Sequence, residues 1–455
     1  MSVSDRNKRR SAAVPSSRLS RIASLTGLAG RVAGNLVTDG SRHWLRGQRP
    51  AMSELLLSRK NLEQVADRLA RMRGAAMKLG QLISMDTGTL LPPELAAVLE
   101  RLRDDAVIMP AAQLVSVLED NWGADWDRRL AQFSFAPIAA ASIGQVHKGR
   151  TQDGRELAIK IQYPGVRRSI DSDIDNVVSL LRISSLLPRE LEIEGLVAEA
   201  KHQLRLETDY LHEQQQLLHY TQALQTFRHR DALALPGVDT ELSSAQILCM
   251  DFLEGVSLSR AAEQHADLAH HIPALLLDLF FCELFRLRCV QTDPNPANYR
   301  YDLPRDRLVL LDFGAVRHFS DEFVQQYGHA ICAATDRNPI ELATALEALG
   351  FFSHRHDAAN RQVVLEIFMT ATEPLRTPGH YDFGQSDLAQ RIHERGMAIS
   401  SDPEAWHTPP ADVLFLHRKL GGLFMLAARL GAQVDVHAIF SHYREQLDAG
   451  HATAP

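Results

Sequence analysis

The most informative stretch of the sequence runs from Gln291-Thr-Asp-Pro-Asn-Pro-Ala-Asn298, through a short polar link, to Leu308-Val-Leu-Leu-Asp-Phe-Gly314. It places an acid, Asp293, before an amide, Asn298, and puts a second acid, Asp312, directly after a dense apolar run. Phosphoryl transfer from a metal nucleotide uses these groups: one carboxylate orients the acceptor, and an amide oxygen and a second carboxylate hold Mg²⁺. The stretch therefore predicts an ATP-binding, kinase-like protein.

Composition limits the other classes of function. The 455 residues suggest two or three structural units, and 45% hydrophobic and 23% charged residues are ordinary for a globular protein. A net charge of -7 gives no overall nucleic-acid signature, so we expect no nucleic-acid partner. The four cysteines form no Cys-x-x-Cys pair, which favours reduced thiols over disulfides or zinc ligands. No uninterrupted apolar run reaches the roughly 20 residues that span a bilayer.

Residues 1–50 are strongly basic, with acids only at Asp5 and Asp39. Three interpretations stay open for this segment: a solvated flexible tail, a helix lying on an anionic membrane surface, and an organellar transit peptide.

Helical periodicity follows from Ala51 to about Glu119, and it contains Lys78-Leu-Gly-Gln81. Lys78 and Gln81 lie three residues apart and so share a helix face. They could be solvent-exposed residues beside a packing glycine, or they could project into a site.

From Phe133 the pattern changes to strand, loop, strand, hairpin and strand, with a turn at Asp153-Gly154. Lys160 in Ala-Ile-Lys-Ile has the setting of the kinase strand lysine that contacts phosphates, although an ordinary surface strand would look the same. The preceding loop has alanines where a kinase has glycines: Ala139, Ala140, Ala141, Ser142, Ile143 and Gly144. Alanine restricts the backbone and its approach to phosphate, which predicts altered nucleotide handling.

Four motifs occur together in order: KLGQ at 78–81, AAASIGQVHKG at 139–149, AIKIQYPG at 158–165, and the 291–314 stretch. With these motifs the chain resembles the UbiB/AarF family of atypical kinases, which includes the coenzyme Q-associated kinase-like ATPases. The resemblance runs from about Ala51 to at least Leu430.

The resemblance implies roles for acids on a helix predicted at about 196–220. Glu207 and Asp209 match the family's acid-x-acid motif, whose partner is Lys78, and Glu213 becomes the candidate partner of Lys160. The sequence leaves open whether Glu207 or Glu213 pairs with Lys160. The resemblance also makes a strand at 245–255 the kinase connection that contacts adenine, with candidate positions Met250, Asp251, Phe252 and Leu253.

The chain departs from the family's His-x-Asp-Pro-His-Pro-Gly-Asn pattern at three positions, which hold Gln291, Asn295 and Ala297. Gln291 can hydrogen-bond local backbone but cannot carry a proton, so the rate of turnover and the acceptor are the properties most affected. A second Asp-Phe-Gly begins at Asp382 without an apolar strand before it, and we interpret it as a loop coincidence. No Ala-Pro-Glu follows Asp312, which argues against a conventional protein substrate.

We therefore predict an α+β protein with a two-lobed protein-kinase-like fold, an N-terminal helical extension and a mostly helical C-terminal lobe. Its segments are a basic, flexible segment (1–50), a helical extension (51–130), the N-lobe (131–253) and the C-lobe (254–455). ATP, or ADP, would lie between the lobes, with Lys160 on the phosphates, Asn298 and Asp312 on Mg²⁺, and Asp293 orienting the acceptor. The resemblance implies that the Lys78 helix packs over the active site and obstructs protein substrates.

Three functions stay open at this stage: an ATPase or atypical kinase in isoprenoid quinone or membrane lipid metabolism, a catalytically weak nucleotide-binding scaffold, and a small-molecule phosphotransferase. The expected partners are a nucleotide, a lipid or quinone-precursor ligand, and an anionic membrane surface contacted peripherally. We expect a cytoplasmic location, at the inner face of a membrane, with the mitochondrial matrix as the alternative if residues 1–50 are a transit peptide. The oligomeric state stays open, with a dimer among the options.

Overall fold

The computed structural model describes residues 66, 69, 72–86, 108–141, 143–183, 193–352, 358–400 and 410–451. The predictions for residues 1–50, for Ser142 and for most of the segment 51–107 lie outside these described residues. The chain divides into two compact units, and the described part of the first comprises residues up to 84, 108–214 and 237–252. The described part of the second unit comprises residues 85–86, 215–236, 253–352, 358–400 and 410–451. The four segments predicted from the sequence stay a prediction.

The described helices and strands have the following bounds. The helices are α1 (Arg73–Asp86), α2 (Ala111–Trp122), α3 (Val166–Ile183), α4 (Glu194–Glu207), α5 (Tyr210–Ala223), α6 (Leu258–Gln264), α7 (Leu268–Cys282), α8 (Asp321–Thr335), α9 (Pro339–Ala348), α10 (Ala358–Ala371), α11 (Glu373–Arg376), α12 (Leu388–Ser400), α13 (Ala411–Leu430) and α14 (Val436–His451). The strands are β1 (Gln132–Phe133), β2 (Ala139–Ala140), β3 (Gly144–Arg150), β4 (Glu156–Gln162), β5 (Leu233–Ala234), β6 (Ile247–Asp251), β7 (Cys289–Gln291), β8 (Tyr299–Asp302), β9 (Arg307–Leu310), β10 (Val316–His318), β11 (Tyr381–Asp382) and β12 (Gln433–Val434).

The first unit is built on an antiparallel sheet of order β1-β3-β4-β6, with β2 also paired to β3. The β3–β4 hairpin turns at Gly154, whose φ of +91° is a left-handed backbone angle that glycine adopts without strain. Side chains of a strand alternate between the two faces of the sheet. Leu157, Ile159 and Ile161 of β4 join a buried core with residues of α2. Lys160 therefore lies on the opposite face.

The helix predicted at 196–220 is in fact two helices, α4 and α5, with a break at Thr208 and Asp209. Thr208 still donates its amide to Leu204 O, but the amide of Tyr210 turns away to Ala245 O. Thr and Asp are poor helix formers because their side chains compete for backbone groups. The break gives the acids on either side of it different directions.

The second unit is mostly helical and contains three small sheets: β10 with β7, β5-β9-β8, and β11 with β12. Helices predicted at 323–333, 339–349, 361–371 and 410–430 correspond to α8, α9, α10 and α13, with ends that differ by a few residues. The apolar segment predicted as a helix at 274–287 is the later part of α7, which continues as a short π-helix at Glu283–Leu287.

Among the described residues, one helical stretch, Leu268–Leu287, has the length and apolarity that a membrane crossing requires. Its most apolar window is 72% buried inside the protein, as is typical of a core helix.

Candidate active site

The strand lysine of the first unit forms a buried ion pair. Lys160 Nζ donates to Glu213 Oε1 at 2.6 Å, and the two residues are 8% and 3% exposed. Glu213 reaches the lysine from the first turn of α5. Removing one partner of such a pair leaves an uncompensated buried charge, at a cost of about 3–5 kcal/mol. Of the two partners that the sequence left open, the structure places Glu213 on Lys160.

The helix carrying KLGQ supplies the second lysine–glutamate pair. Lys78 Nζ, on α1, donates at 2.5 Å to Oε1 of Glu207, which is the last residue of α4. Asp209 lies in the break before α5, where its Oδ2 accepts from Arg167 at 3.3 Å. Its Oδ1 is buried and has no hydrogen-bond partner among the described residues. A buried carboxylate oxygen without a donor is costly, which makes Asp209 a position suited to a ligand or a cation.

The alanine-rich segment forms a closed turn rather than an open loop. Ala139 and Ala140 pair with β3, and the amide of Ala141 donates to Gly144 O at 2.9 Å. The carbonyl of the buried Ile143 accepts from Tyr163 N. An added Cβ at Gly144 would lie only 2.3 Å from Ile161 O, so this position requires glycine. Because the amide of Ala141 is used inside the turn, it is not directed at a phosphate.

The candidate adenine positions follow β6. Met250 is buried and pairs across the sheet with Ala158. The amides of Asp251 and Phe252 donate to Gly237 O and Glu156 O, both at 2.9 Å. These two amides therefore have protein partners, and Leu253 belongs to the second unit.

In the second unit, antiparallel pairing of β7 with β10 positions the catalytic stretch. Gln291 lies opposite Val316, and Thr292 donates both its amide and its hydroxyl to Ala315 O. Asp293 follows at once, and both of its carboxylate oxygens are engaged. Oδ1 accepts from Arg418 Nη2 at 2.6 Å, and Oδ2 accepts from Asn298 Nδ2 at 2.8 Å.

The two candidate metal ligands are neighbours. The amide of Leu311 donates to Asn298 O at 3.0 Å, which holds the end of β9 beside the turn at Pro296–Asn298. Asp312 Oδ1 accepts from Gly314 N at 3.0 Å. Asn298 gives its NH₂ group to Asp293, so its Oδ1 is the atom for a cation. Asn298 and Asp312 line one small cavity, which Gln291 also borders.

The side chain of Gln291 hydrogen-bonds to nearby backbone, as the sequence suggested. Its Nε2 donates to Asp312 O at 3.4 Å, and its Oε1 accepts from Lys419 Nζ at 2.9 Å and Tyr299 OH at 3.3 Å. Lys419 is 2% exposed and also donates to Tyr299 OH at 2.7 Å. Both the nitrogen and the oxygen of the Gln291 side-chain amide therefore have partners, at the position where the family has a histidine.

Glu283 completes this buried network. Its Oε1 accepts from the amide of Gln291 and from the hydroxyl of Tyr220. Burial raises the pKa of the Glu283 carboxyl above its ordinary value, against the opposing charge of Lys419. Burial acts to lower the pKa of Lys419, but Tyr299 and Glu283 outweigh it and leave that pKa raised. The network holds the backbone at Gln291, where the catalytic stretch begins.

Sequence reasoning missed the residues that α13 contributes to this site. Arg418 and Lys419 lie more than 100 residues from Asp293 and Gln291 in the chain. The signal available was a pair of adjacent cations in the middle of a helix whose other charged residues, Asp412 and Arg429, lie near its ends. Gly422 of the same helix packs against Pro294, where an added Cβ would lie 2.4 Å from Pro294 Cβ.

The second Asp-Phe-Gly begins in β11, which pairs with β12. Asp382 pairs with Gln433 across β11 and β12, and Gln433 Nε2 donates to its Oδ2 at 3.0 Å. Its Oδ1 accepts from the amides of Gly384 and Gln385.

Comparison with known proteins gives consistent matches. Residues 101–346 match the family model described as the ABC1 atypical kinase-like domain. The chain is 36% identical to the rat "Atypical kinase COQ8B, mitochondrial", over 100% of this chain and 85% of the relative. It is 33% identical to the Saccharomyces cerevisiae "Atypical kinase COQ8, mitochondrial", over 95% of this chain and 85% of the relative. Among solved structures, the Rv3197–erythromycin complex of Mycobacterium tuberculosis aligns with a TM-score of 0.58 and 25% identity, covering 84% of this chain and 95% of that one.

Proposed function

Because the chain belongs to the ABC1 atypical kinase-like family, in the COQ8 branch, we propose that it binds Mg-ATP and acts as an ATPase or atypical kinase in isoprenoid quinone metabolism. Family membership confirms the UbiB/AarF resemblance and the kinase-like fold predicted from the sequence. The observation that carries the proposal is the buried Lys160–Glu213 ion pair. A kinase uses a strand lysine held by a helix glutamate to contact the nucleotide phosphates.

The donor set at Asn298 and Asp312 fits Mg²⁺. Hard divalent cations prefer oxygen ligands, and Mg²⁺ takes one or two protein oxygens together with phosphates and water. Asn298 Oδ1 and the Asp312 carboxylate are such ligands, and the turn at Gly314 orients the carboxylate. When bound, Mg²⁺ would neutralise charge on the transferring phosphate.

The residue that would orient the acceptor is Asp293. Arg418 and Asn298 fix its carboxylate from two sides, so it is preorganised to accept a proton or hydrogen bond from a hydroxyl or a water. Gln291 holds the backbone at Asp312, and Lys419 in turn holds the amide oxygen of Gln291. We assign Asp293 as the acceptor-orienting residue, and Arg418 and Gln291 as positioning residues.

The proposed acceptor is water or a small or lipid molecule, rather than a protein. The closed turn at Ala141 and Gly144 and the Lys78–Glu207 pair of the KLGQ helix support this choice. The Rv3197 structure contains erythromycin, a small organic ligand, which is in line with it. For location, the relatives named mitochondrial favour the mitochondrial alternative over the cytoplasmic placement that we expected.

The test measures Mg-dependent phosphate release by wild type and Asp312→Asn, with Asp231→Asn as a control for loss of one exposed surface charge. We expect loss of release in Asp312→Asn and wild-type release in the control. Equal release from all three proteins would contradict the proposal.

A second series adds anionic liposomes and phenols that resemble quinone precursors, because the basic segment 1–50 and the family resemblance point to these ligands. Stimulation of release supports the assignment to quinone metabolism. Mg-ATP-dependent thermal stabilisation without turnover under any of these conditions would favour the nucleotide-binding scaffold instead. A phosphorylated phenol or other small metabolite would favour the small-molecule phosphotransferase.

A further inference from the structure

Two histidines and a cysteine meet on the second unit, outside the residues assigned to nucleotide and acceptor. His219 lies on α5, Cys289 begins β7, and His318 ends β10. One ligand atom from each of the three lies within 4.8 Å of the other two. We propose that His219, Cys289 and His318 form a binding site for a divalent metal ion that prefers sulfur and nitrogen ligands, with Zn²⁺ as the expected ion.

The strand register builds two of the three ligands. Cys289 and His318 are directly opposite in the antiparallel β7–β10 pair. Directly opposite residues point to the same face with Cβ atoms about 4.5–5.5 Å apart. Their positions are therefore fixed by backbone hydrogen bonds and not by side-chain choice. His219 completes the group from the helix, and its ring centroid lies 5.1 Å from that of His318.

The three ligand atoms would need to move only slightly closer together to bind a metal ion. Zn–S bonds of about 2.3 Å and Zn–N bonds of about 2.0–2.1 Å, at tetrahedral angles, separate the ligand atoms by about 3.3–3.6 Å. Side-chain rotation of the two exposed histidines supplies the remaining movement. The exposed side leaves a fourth position to water.

The surroundings also suit a metal. His318 Nε2 is 3.0 Å from Gln216 Oε1, an acceptor that favours the tautomer with a lone pair on Nδ1. Ligand histidines commonly have such a partner on the second ring nitrogen. Without a metal, Cys289 is a free, buried cysteine. Binding breaks the S–H bond, forms Zn–S, and releases the proton to solvent.

A metal here would fasten α5 to the strand that leads into Gln291 and Asp293. Tyr220, next to His219 in sequence, already connects the same helix to Glu283, which accepts from the amide of Gln291. The site would therefore reinforce an existing attachment. Chemically, one thiolate and two imidazoles favour Zn²⁺ over the oxygen-preferring Mg²⁺.

The test uses Co²⁺ as a spectroscopic substitute for Zn²⁺. The full-length chain is treated with a chelator and titrated with Co²⁺, and then with Zn²⁺. We expect one Co²⁺ per chain, a thiolate-to-cobalt charge-transfer band, and displacement of that band by Zn²⁺. His219→Gln and His318→Gln are surface substitutions, and each should weaken binding at least tenfold. Cys289→Ser should lose the charge-transfer band.

Matched controls change the same residue types elsewhere: His202→Gln on the exposed surface of α4, and Cys332→Ser on α8. Both should bind Co²⁺ as wild type does. Zn²⁺ should raise the melting temperature of wild type and of both controls, but not that of the double variant His219→Gln/His318→Gln. Wild type that binds no more Co²⁺ than this double variant, or a band that persists in a folded Cys289→Ser protein, would overturn the proposal.

Discussion

Asp312 and Asp382 begin the same tripeptide, Asp-Phe-Gly, and the two copies form the same side-chain hydrogen bond. In each, the aspartate Oδ1 accepts from the glycine amide two positions on at 3.0 Å. The phenylalanines, Phe313 and Phe383, are 1% and 3% exposed. The tripeptide thus encodes its own turn, because a short acidic side chain readily captures a nearby backbone amide.

The surroundings of the two copies differ. Asp382 is held by three donors, from Gly384, Gln385 and Gln433. Asp312 lies beside Asn298, and its carbonyl is held by Gln291. This motif therefore specifies local geometry, while its chemistry depends on which groups the strand pairing brings beside it.

The largest expected difference is in catalysis. Asp312→Asn should lower Mg-dependent phosphate release by about 10²–10³, the usual loss when one group that stabilises transition-state charge is removed. Asp382→Asn should stay within about twofold of wild type, because its donors, Gly384, Gln385 and Gln433, are not among the residues assigned to Mg²⁺ or the acceptor. Phosphate release from purified proteins of matched thermal stability measures this. A large loss in Asp382→Asn would contradict the assignment of catalysis to Asp312 alone of the two aspartates.

The second prediction concerns metal affinity. Asn298→Ala removes the amide oxygen for Mg²⁺ and the donor to Asp293 Oδ2. The Mg²⁺ concentration for half-maximal nucleotide binding should rise about tenfold or more. Gln433→Ala is the counterpart, since it removes the donor to Asp382 Oδ2 and should leave the Mg²⁺ dependence unchanged. A similar response of the two variants to Mg²⁺ titration would argue that Asn298 is only structural.

The third prediction separates positioning from binding. Arg418→Gln removes the cation at Asp293 Oδ1, so kcat should fall about tenfold through lost orientation, with Mg-ATP affinity unchanged. Near the second copy, Arg391 pairs with Glu373, which accepts from the hydroxyl of Tyr381. Arg391→Gln should lower the melting temperature without changing kcat. Weakened Mg-ATP binding in Arg418→Gln would contradict the positioning role.

The smallest effect is on stability in acid. His417 precedes Arg418 on α13, and burial lowers its pKa from 6.5 to about 4. The unfolded chain therefore takes up the proton first, and stability falls as pH decreases below 6.5. Between pH 6.5 and 5.5 the loss should be about 1 kcal/mol. Denaturant unfolding of wild type and His417→Leu checks this, because the variant should lack that part of the pH dependence. An identical slope in both proteins would contradict it.

How much could be predicted from the sequence varied with the distance between partners. Alternation and the Asp153-Gly154 turn predicted β3 and β4, since both signals are local. The break between α4 and α5 was missed, because helical periodicity continues through Thr208 and Asp209. Glu207 ends the first of the two helices and pairs with Lys78, whereas Glu213 lies in the first turn of the second and pairs with Lys160.

The candidate site shows the same division. Asp293, Asn298 and Asp312 could be chosen from spacing and residue type. Arg418 and Lys419 could not, because their contacts with Asp293 and Gln291 depend on the tertiary packing of α13. Periodicity gives the apolar face of a helix but does not identify the distant segment that a given cation will meet.

The adjacent glycines of α13 carry a consequence for mutational tolerance. In a saturation scan, Gly421 and Gly422 should behave oppositely although they are neighbours in one helix. Open space surrounds the Cβ position of Gly421, so alanine there should gain about 1 kcal/mol of helix propensity. At Gly422 any side chain would displace Pro294 and with it the turn that follows Asp293. Failure of Gly422 to accept a side chain would thus reflect the space that Pro294 of the catalytic stretch occupies, and not a need for flexibility in the helix.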